Sequence, residues 1–199
     1  IQFDWDYYNY AYMGRDNSIW KSVDGGSSFS PIYTFGGTTG NKVLWVEQSR
    51  VDKKIIYLTQ NIGGSNCKLW KTTDGGVSWT DIDLPQAKRD LLFTLSGNNA
   101  NELWIAYTFG SDGNKVYHST NGGDTWTNIT TGTLNGLHPA AITHQFGTDG
   151  GVYLTVREAA VFYRTNTFID WLQHGDDLPV VTDALKTIPF YRDNKLRLA

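Results

Sequence analysis

The residues able to do chemistry are spread along the 199-residue chain. Asp4 and Asp6, two apart, share one face if their segment is a strand, and two carboxylates on one face suit acid/base work. Solvated strand carboxylates are the commoner case. Four histidines are present. His138 and His144 stand six apart with no Glu or Cys at ligand spacing, so no zinc site is expected. His118 reads as an exposed strand residue. Cys67, the single cysteine, has no base arranged beside it and excludes an intrachain disulfide. No Gly-x-Ser-x-Gly elbow occurs. Gly147-Thr148-Asp149-Gly150-Gly151 lacks the ligand count of a calcium loop. Gly36-Gly37-Thr38-Thr39-Gly40 lacks the lysine and following helix of a phosphate loop. No metal and no cofactor is expected. The aromatic opening, with Trp5, Tyr8, Tyr10 and Tyr12, offers a platform for stacking a ligand. The alternation of its three tyrosines puts them on one face of a strand. The bland alternative is a packed flank of the fold.

The elements that would position these groups recur. Ser22-Val23-Asp24-Gly25-Gly26-Ser27-Ser28-Phe29 returns as Thr72-Thr73-Asp74-Gly75-Gly76-Val77-Ser78-Trp79 and as Ser119-Thr120-Asn121-Gly122-Gly123-Asp124-Thr125-Trp126. A weaker copy at 164–171 keeps Asn166 and Trp171. The Asx positions 24, 74, 121 and 166 are 50, 47 and 45 residues apart, a period typical of repeat architectures. Alternating runs precede the copies (Ile19-Trp20-Lys21, Leu69-Trp70-Lys71, Val116-Tyr117-His118), as strands require. Asp-Gly-Gly or Asn-Gly-Gly then supplies positive φ and a side chain that bonds its own turn. The aromatic residue after the turn opens a second strand and is expected to be buried.

These motifs resemble the Asp-box, or BNR repeat, of sialidases, sortilin-like receptors, xyloglucanase-type glycosidases and large secreted propellers. The resemblance implies an all-β fold, a β-propeller or an arc of one, built of four-stranded antiparallel blades with Asp-box hairpins. In that family the box is a structural turn. By resemblance, Ser22, Asp24, Gly26, Phe29, Thr72, Asp74, Gly76, Trp79, Ser119, Asn121, Gly123, Trp126, Asn166 and Trp171 are therefore structural. The repeats read as 1–32 (partial), 33–82, 83–129, 130–174 and 175–199 (partial). The last opens with a Gly-Asp-Asp-Leu-Pro linker at 175–179 and carries strands near 183–191 and 195–199. The runs Val152-Tyr153-Leu154, Phe162-Tyr163-Arg164 and Lys195-Leu196-Arg197 look like the C-terminal end of secreted bacterial surface propellers. The chain reads as a piece of a longer protein.

Function is less legible. A sialidase needs clustered arginines, and Arg15, Arg50, Arg89, Arg157, Arg164, Arg192 and Arg197 fall in no such motif. A Tyr/Glu pair drawn from Glu47, Glu102 or Glu158, or an Asp pair drawn from Asp4, Asp16, Asp52 or Asp149, is not singled out by any pattern. No catalytic residue is assigned. A net charge of −3 gives no reason to expect nucleic acid, and no apolar run is long enough to span a membrane. The expectation is a non-catalytic extracellular or cell-surface module binding a glycan, a protein or other domains of the same chain. The alternative is part of a glycoside hydrolase.

Overall fold

The computed structural model describes residues 1–4, 6–37, 41–64, 66–86, 88, 90–158 and 160–174, together with the strands Thr187–Phe190 and Lys195–Leu198. Two compact units divide the chain, Ile1–Arg89 and Asp90–Ala199. The architecture is all-β, of the propeller-blade type. Each unit carries two four-stranded antiparallel sheets whose strands pair in chain order.

In the first unit, β1 (Gln2–Phe3), β2 (Ala11–Arg15), β3 (Ser18–Ser22) and β4 (Ser30–Thr34) form one sheet. The strands β5 (Lys42–Gln48), β6 (Ile56–Asn61), β7 (Cys67–Thr72) and β8 (Thr80–Ile82) form the next. In the second unit, β9 (Leu91–Leu95), β10 (Leu103–Tyr107), β11 (Val116–Ser119) and β12 (Thr127–Asn128) precede β13 (Pro139–His144), β14 (Val152–Val156), β15 (Ala160–Arg164) and β16 (Leu172–His174). A hairpin of β17 (Thr187–Phe190) and β18 (Lys195–Leu198) follows. The linker expected at 175–179 lies outside the described residues.

The first repeat, expected to be partial, is a complete sheet. Its outer strand β1 is only two residues long, because the Asp4 carboxylate accepts hydrogen bonds from Asp6 N and Tyr7 N and turns the chain out of the ladder. That turn also overturns two readings of the opening segment. Asp4 and Asp6 do not share a strand face, and Tyr8 and Tyr10 stand in the β1–β2 turn while Tyr12 lies on β2. Tyr12, 3% exposed, belongs to the core.

Burial follows strand position. All five residues of Leu103-Trp104-Ile105-Ala106-Tyr107 on β10 are buried, as a strand covered on both faces requires. Two cores result. In the first unit Ile19, Phe35, Val43, Ile56, Leu58 and Trp79 pack together. In the second, Trp104, Val116, Ile142, Leu154, Phe162 and Trp171 do so.

The box aromatics share a position after the turn but not a degree of burial. Trp79, 9% exposed, lies against Phe35 and Tyr33 of the preceding sheet's end, with ring centroids 5.5 and 6.4 Å apart. Trp171, 2% exposed, donates its indole N–H to Ile129 O at the end of β12, 2.9 Å away. Phe29 and Trp126 are only half-buried, contrary to expectation. They stand on the first sheet of each unit, whereas Trp79 and Trp171 stand on the second. Trp79→Ala is therefore expected to cost about 3–5 kcal/mol in urea unfolding, as for a large buried aromatic, and Phe29→Ala clearly less. Equal losses for the two would contradict the insertion of Trp79 into its neighbour.

Candidate functional site

The box turns are built alike. In the first, Ser22 Oγ donates to Asp24 Oδ1 (2.7 Å) and accepts from Gly26 N (2.8 Å). Asp24 then accepts from Ser28 N (2.9 Å) and Ser28 Oγ (2.6 Å). The second repeats this with Thr72, Asp74, Gly76 and Ser78. The third keeps Ser119 Oγ to Asn121 Oδ1 (2.9 Å) and Gly123 N to Ser119 Oγ (2.8 Å). There the last bond reverses, because the Asn121 amide donates to Thr125 Oγ1. Both glycines of each box have positive φ, between 73° and 99°, a region costly for other residues. In each box the first glycine N–H also bonds across to the neighbouring strand turn, from Gly25 to Asn9 O, Gly75 to Lys54 O and Gly122 to Asn101 O.

The fourth copy differs. Thr167-Phe168 replaces the Gly-Gly pair, so the chain cannot take the same turn. Asn166 reaches across to Asp149 Oδ1 (2.8 Å), and Trp171 is set by its neighbour Asp170, which accepts from Trp171 N and from Thr133 Oγ1.

Two other carboxylates considered for catalysis, Asp4 and Asp52, hold turns as well. Asp4 holds Asp6 N, Tyr7 N and the Gln48 amide. Asp52 Oδ1 accepts from Lys54 N. Asp16 lies in a left-handed turn, φ 50°. No cluster of three His, Cys, Asp or Glu side chains that could hold a metal occurs among the described residues.

Sequence reasoning missed two groupings, both in the second unit. His118, expected to be exposed, is mostly covered. Its ring stacks on Trp104 (4.7 Å, 3°) and its Nε2 meets Glu102 Oε1 at 3.0 Å. His144 stacks beside Trp104 as well (5.1 Å). Burial raises the Glu102 pKa, but the His118 ring and the Ser96 hydroxyl outweigh it and leave it lowered. A tryptophan between two imidazoles is a core device here.

The second grouping is exposed and lies at the sheet ends away from the boxes. The β10–β11 loop supplies Phe109, Asp112 and Lys115, the link into β13 supplies His138, and the β14–β15 turn supplies Arg157 and Glu158. The Arg157 guanidinium lies 5.3 Å over the Phe109 ring, and the His138 ring meets its edge at 6.1 Å. Glu158 accepts from His138 N (2.9 Å) and meets His138 Nδ1 (2.5 Å). Burial raises the Glu158 pKa, yet these contacts hold it below the ordinary carboxylate value. Behind them, buried Lys115 donates to Leu137 O (2.6 Å) and pairs with Asp112 (3.1 Å), which accepts from Gly136 N (2.9 Å). Arg157 N donates to His138 O (2.9 Å). Three loops are thus tied together beneath an exposed Phe–Arg–His surface. The sequence signal was faint, since each loop contributes one to three such residues at unrelated spacings.

Of the stacking residues, Tyr8 and Tyr10 lie in the β1–β2 turn and Tyr12 in the core. Trp5 is outside the described residues.

Repeated four-stranded meanders closed by box turns define a β-propeller-type chain. The Sortilin-Vps10 family model (sortilin, neurotensin receptor 3) matches residues 17–166, and the chain belongs to that family. Among solved structures, an ancestral GH74 enzyme matches with TM-score 0.70 at 17% identity, over 90% of this chain and 25% of its own. YCF48 bound to D1 peptide matches with TM-score 0.64 at 15% identity, over 96% of this chain and 58% of its own. The GH74 xyloglucanase from Xanthomonas campestris gives 0.57 at 16%, over 81% and 27%. At such identities the likeness concerns the fold alone. The chain spans about a quarter of the length of these GH74 enzymes and 58% of YCF48. No curated protein matches it. No helix among the described residues is long and apolar enough to cross a membrane.

The box carboxylates make a pH prediction. Hydrogen bonds from the Ser28 hydroxyl and N–H, and from Ser22, lower the Asp24 pKa to about 2. A depressed folded value gives stability present above the ordinary carboxylate range and lost as pH falls through about 2. Asp24→Asn copies the third box and removes that titration. Its Tm is expected below wild type at pH 7, with the gap closing towards pH 2. A gap constant over that range would show that Asp24 adds nothing through its charge.

Proposed function

We propose that this chain is a non-catalytic, ligand-binding part of a longer extracellular or cell-surface protein, with the Phe109–Arg157–His138 surface as its principal contact face. The observation that carries the reading is the way that face is built. An exposed aromatic ring lies under a guanidinium, on loops cross-tied by a buried lysine and by main-chain hydrogen bonds. Such preorganisation lowers the ordering cost of binding, and an aromatic–arginine pair is the composition of interface hot spots. The polypeptide backbone and acidic side chains of a protein ligand suit it: the guanidinium takes a carboxylate, and Phe109 takes an apolar side chain. YCF48, of similar fold, is described bound to a peptide, which agrees with this use of the fold.

The glycoside-hydrolase alternative has less support. Asp4, Asp52 and Asp149 hold turns, and Glu158 is engaged by His138. The GH74 likeness is one of fold at 17% identity.

The test uses the purified chain in two assays, capture of proteins and peptides from an extracellular-ligand library and turnover of sialyl and β-glucan substrates. The expected outcome is saturable binding without turnover, weakened about tenfold or more by Phe109→Ala or Arg157→Ala. Turnover above buffer, abolished by an alanine at one of Asp4, Asp16 or Asp149, would overturn the reading in favour of the hydrolase.

A further inference from the structure

The β1–β2 turn, Asp6-Tyr7-Tyr8-Asn9-Tyr10, lies at the box end of the first sheet and presents its rings to solvent. Tyr8 is 80% exposed and Tyr7 62%. With Val23 from the box turn, these five residues line a cleft of about 300 Å³. We propose that this cleft is a binding site for a neutral carbohydrate, separate from the Phe109 surface, in which a pyranose ring stacks on Tyr7 and Tyr8 while Asp6 and Asn9 bond its hydroxyl groups.

The turn is held before any ligand arrives. The Asp4 carboxylate, buried and bonded to the Gln48 amide, accepts from Asp6 N and Tyr7 N. Asp4 N donates to Tyr10 O, Tyr10 N to Tyr7 O, and Gly25 N to Asn9 O. A rigid turn loses little freedom on binding. Its rings are held at the surface instead of in the core, with Tyr7 and Tyr10 in a tilted pair at 5.9 Å. Tyrosine with asparagine is the composition of engineered and natural recognition loops, where the ring gives rigid amphipathic area and the amide gives adaptable hydrogen bonds.

Charge selects the ligand class. The one carboxylate lining the cleft, Asp6, is met by Lys53 Nζ at 3.1 Å. Lys21 Nζ lies 4.7 Å over the Tyr10 ring and 5.4 Å over Tyr12. With the one lining carboxylate paired to Lys53 and no Lys or Arg among the lining residues, the cleft favours an uncharged ligand over an acidic or a basic one. A neutral ligand with an apolar face and a rim of hydroxyl groups is a hexopyranose. The volume suits one or two rings.

The whole chain is titrated by calorimetry with cellohexaose, xylohexaose, mannohexaose and chitohexaose, and with hexagalacturonate as the acidic comparison. Saturable binding of at least one neutral hexaose is expected. Tyr7→Ala and Tyr8→Ala should each raise its Kd about tenfold or more, the size of one lost aromatic contact. Tyr8→Phe keeps the ring and should bind nearly as wild type. Because Tyr8 is so exposed, its variants should keep the wild-type Tm, which separates lost binding from lost fold. Phe109→Ala should leave hexaose binding unchanged. Absence of binding by all four neutral hexaoses, binding that survives both alanine variants, or tighter binding of hexagalacturonate would overturn the proposal. Loss of hexaose binding on Phe109→Ala but not Tyr8→Ala would overturn this site while leaving the binding-module reading intact.

Discussion

A hydroxyl bonded to an Asx side chain, above two glycines of positive φ, is the constraint on which the sheets depend. It closes the hairpin between the third and fourth strands in the first three sheets. The same turn sends its first glycine N–H to the neighbouring turn, so one short motif clamps both hairpins at that end of a sheet. It also sets the aromatic residue that follows. Where a preceding sheet is at hand within the unit, as for Trp79, the ring inserts into it and joins two sheets into one core. A local backbone requirement thereby becomes a tertiary contact.

The fourth sheet shows what belongs to the turn and what to the ring. Without the Gly-Gly pair the turn is different, and Asn166 serves a neighbouring turn instead of its own. Trp171 still reaches the preceding sheet's end, held by its indole bond to Ile129 O and by the acceptor bonds of Asp170. Burial of a large ring in a matched cavity is thus retained through other hydrogen bonds, as expected when apolar burial outweighs any single turn bond.

The box end and the opposite end of a sheet have different work. At the box end of the repeated turns, carboxylates are used up by their own backbone. At the other end, the connections are unconstrained by the motif and vary in length and content. In the second unit they bring Phe109, His138 and Arg157 together from three loops. Function on a repeat fold sits naturally in such connections, because they change without disturbing the blades. The tyrosine turn is an exception that proves informative: it lies at the box end, but in the link between the first two strands, outside the motif.

The sequence by itself determined the strand-turn-strand unit, its period and the four-stranded repeat, because these rest on local properties: positive φ at glycine, Asx bonding and alternation of apolar residues. It also set which residues lie in the box turns. It misjudged Tyr8 and Tyr10, since alternation alone could not show that the Asp4 carboxylate would pull the chain out of its strand. It took the first repeat as partial, because a two-residue strand carries no periodicity. His118 looked exposed because its box position matched that of two lysines, while its partners Glu102 and Trp104 are given by pairing with β10. Only the tertiary structure decided which box aromatics are buried, and which distant loops meet around Phe109. The physical reason is the same in both cases. Burial and loop convergence depend on what lies across a sheet or beside it, and residues 109, 138 and 157 become neighbours only after the strands between them have paired.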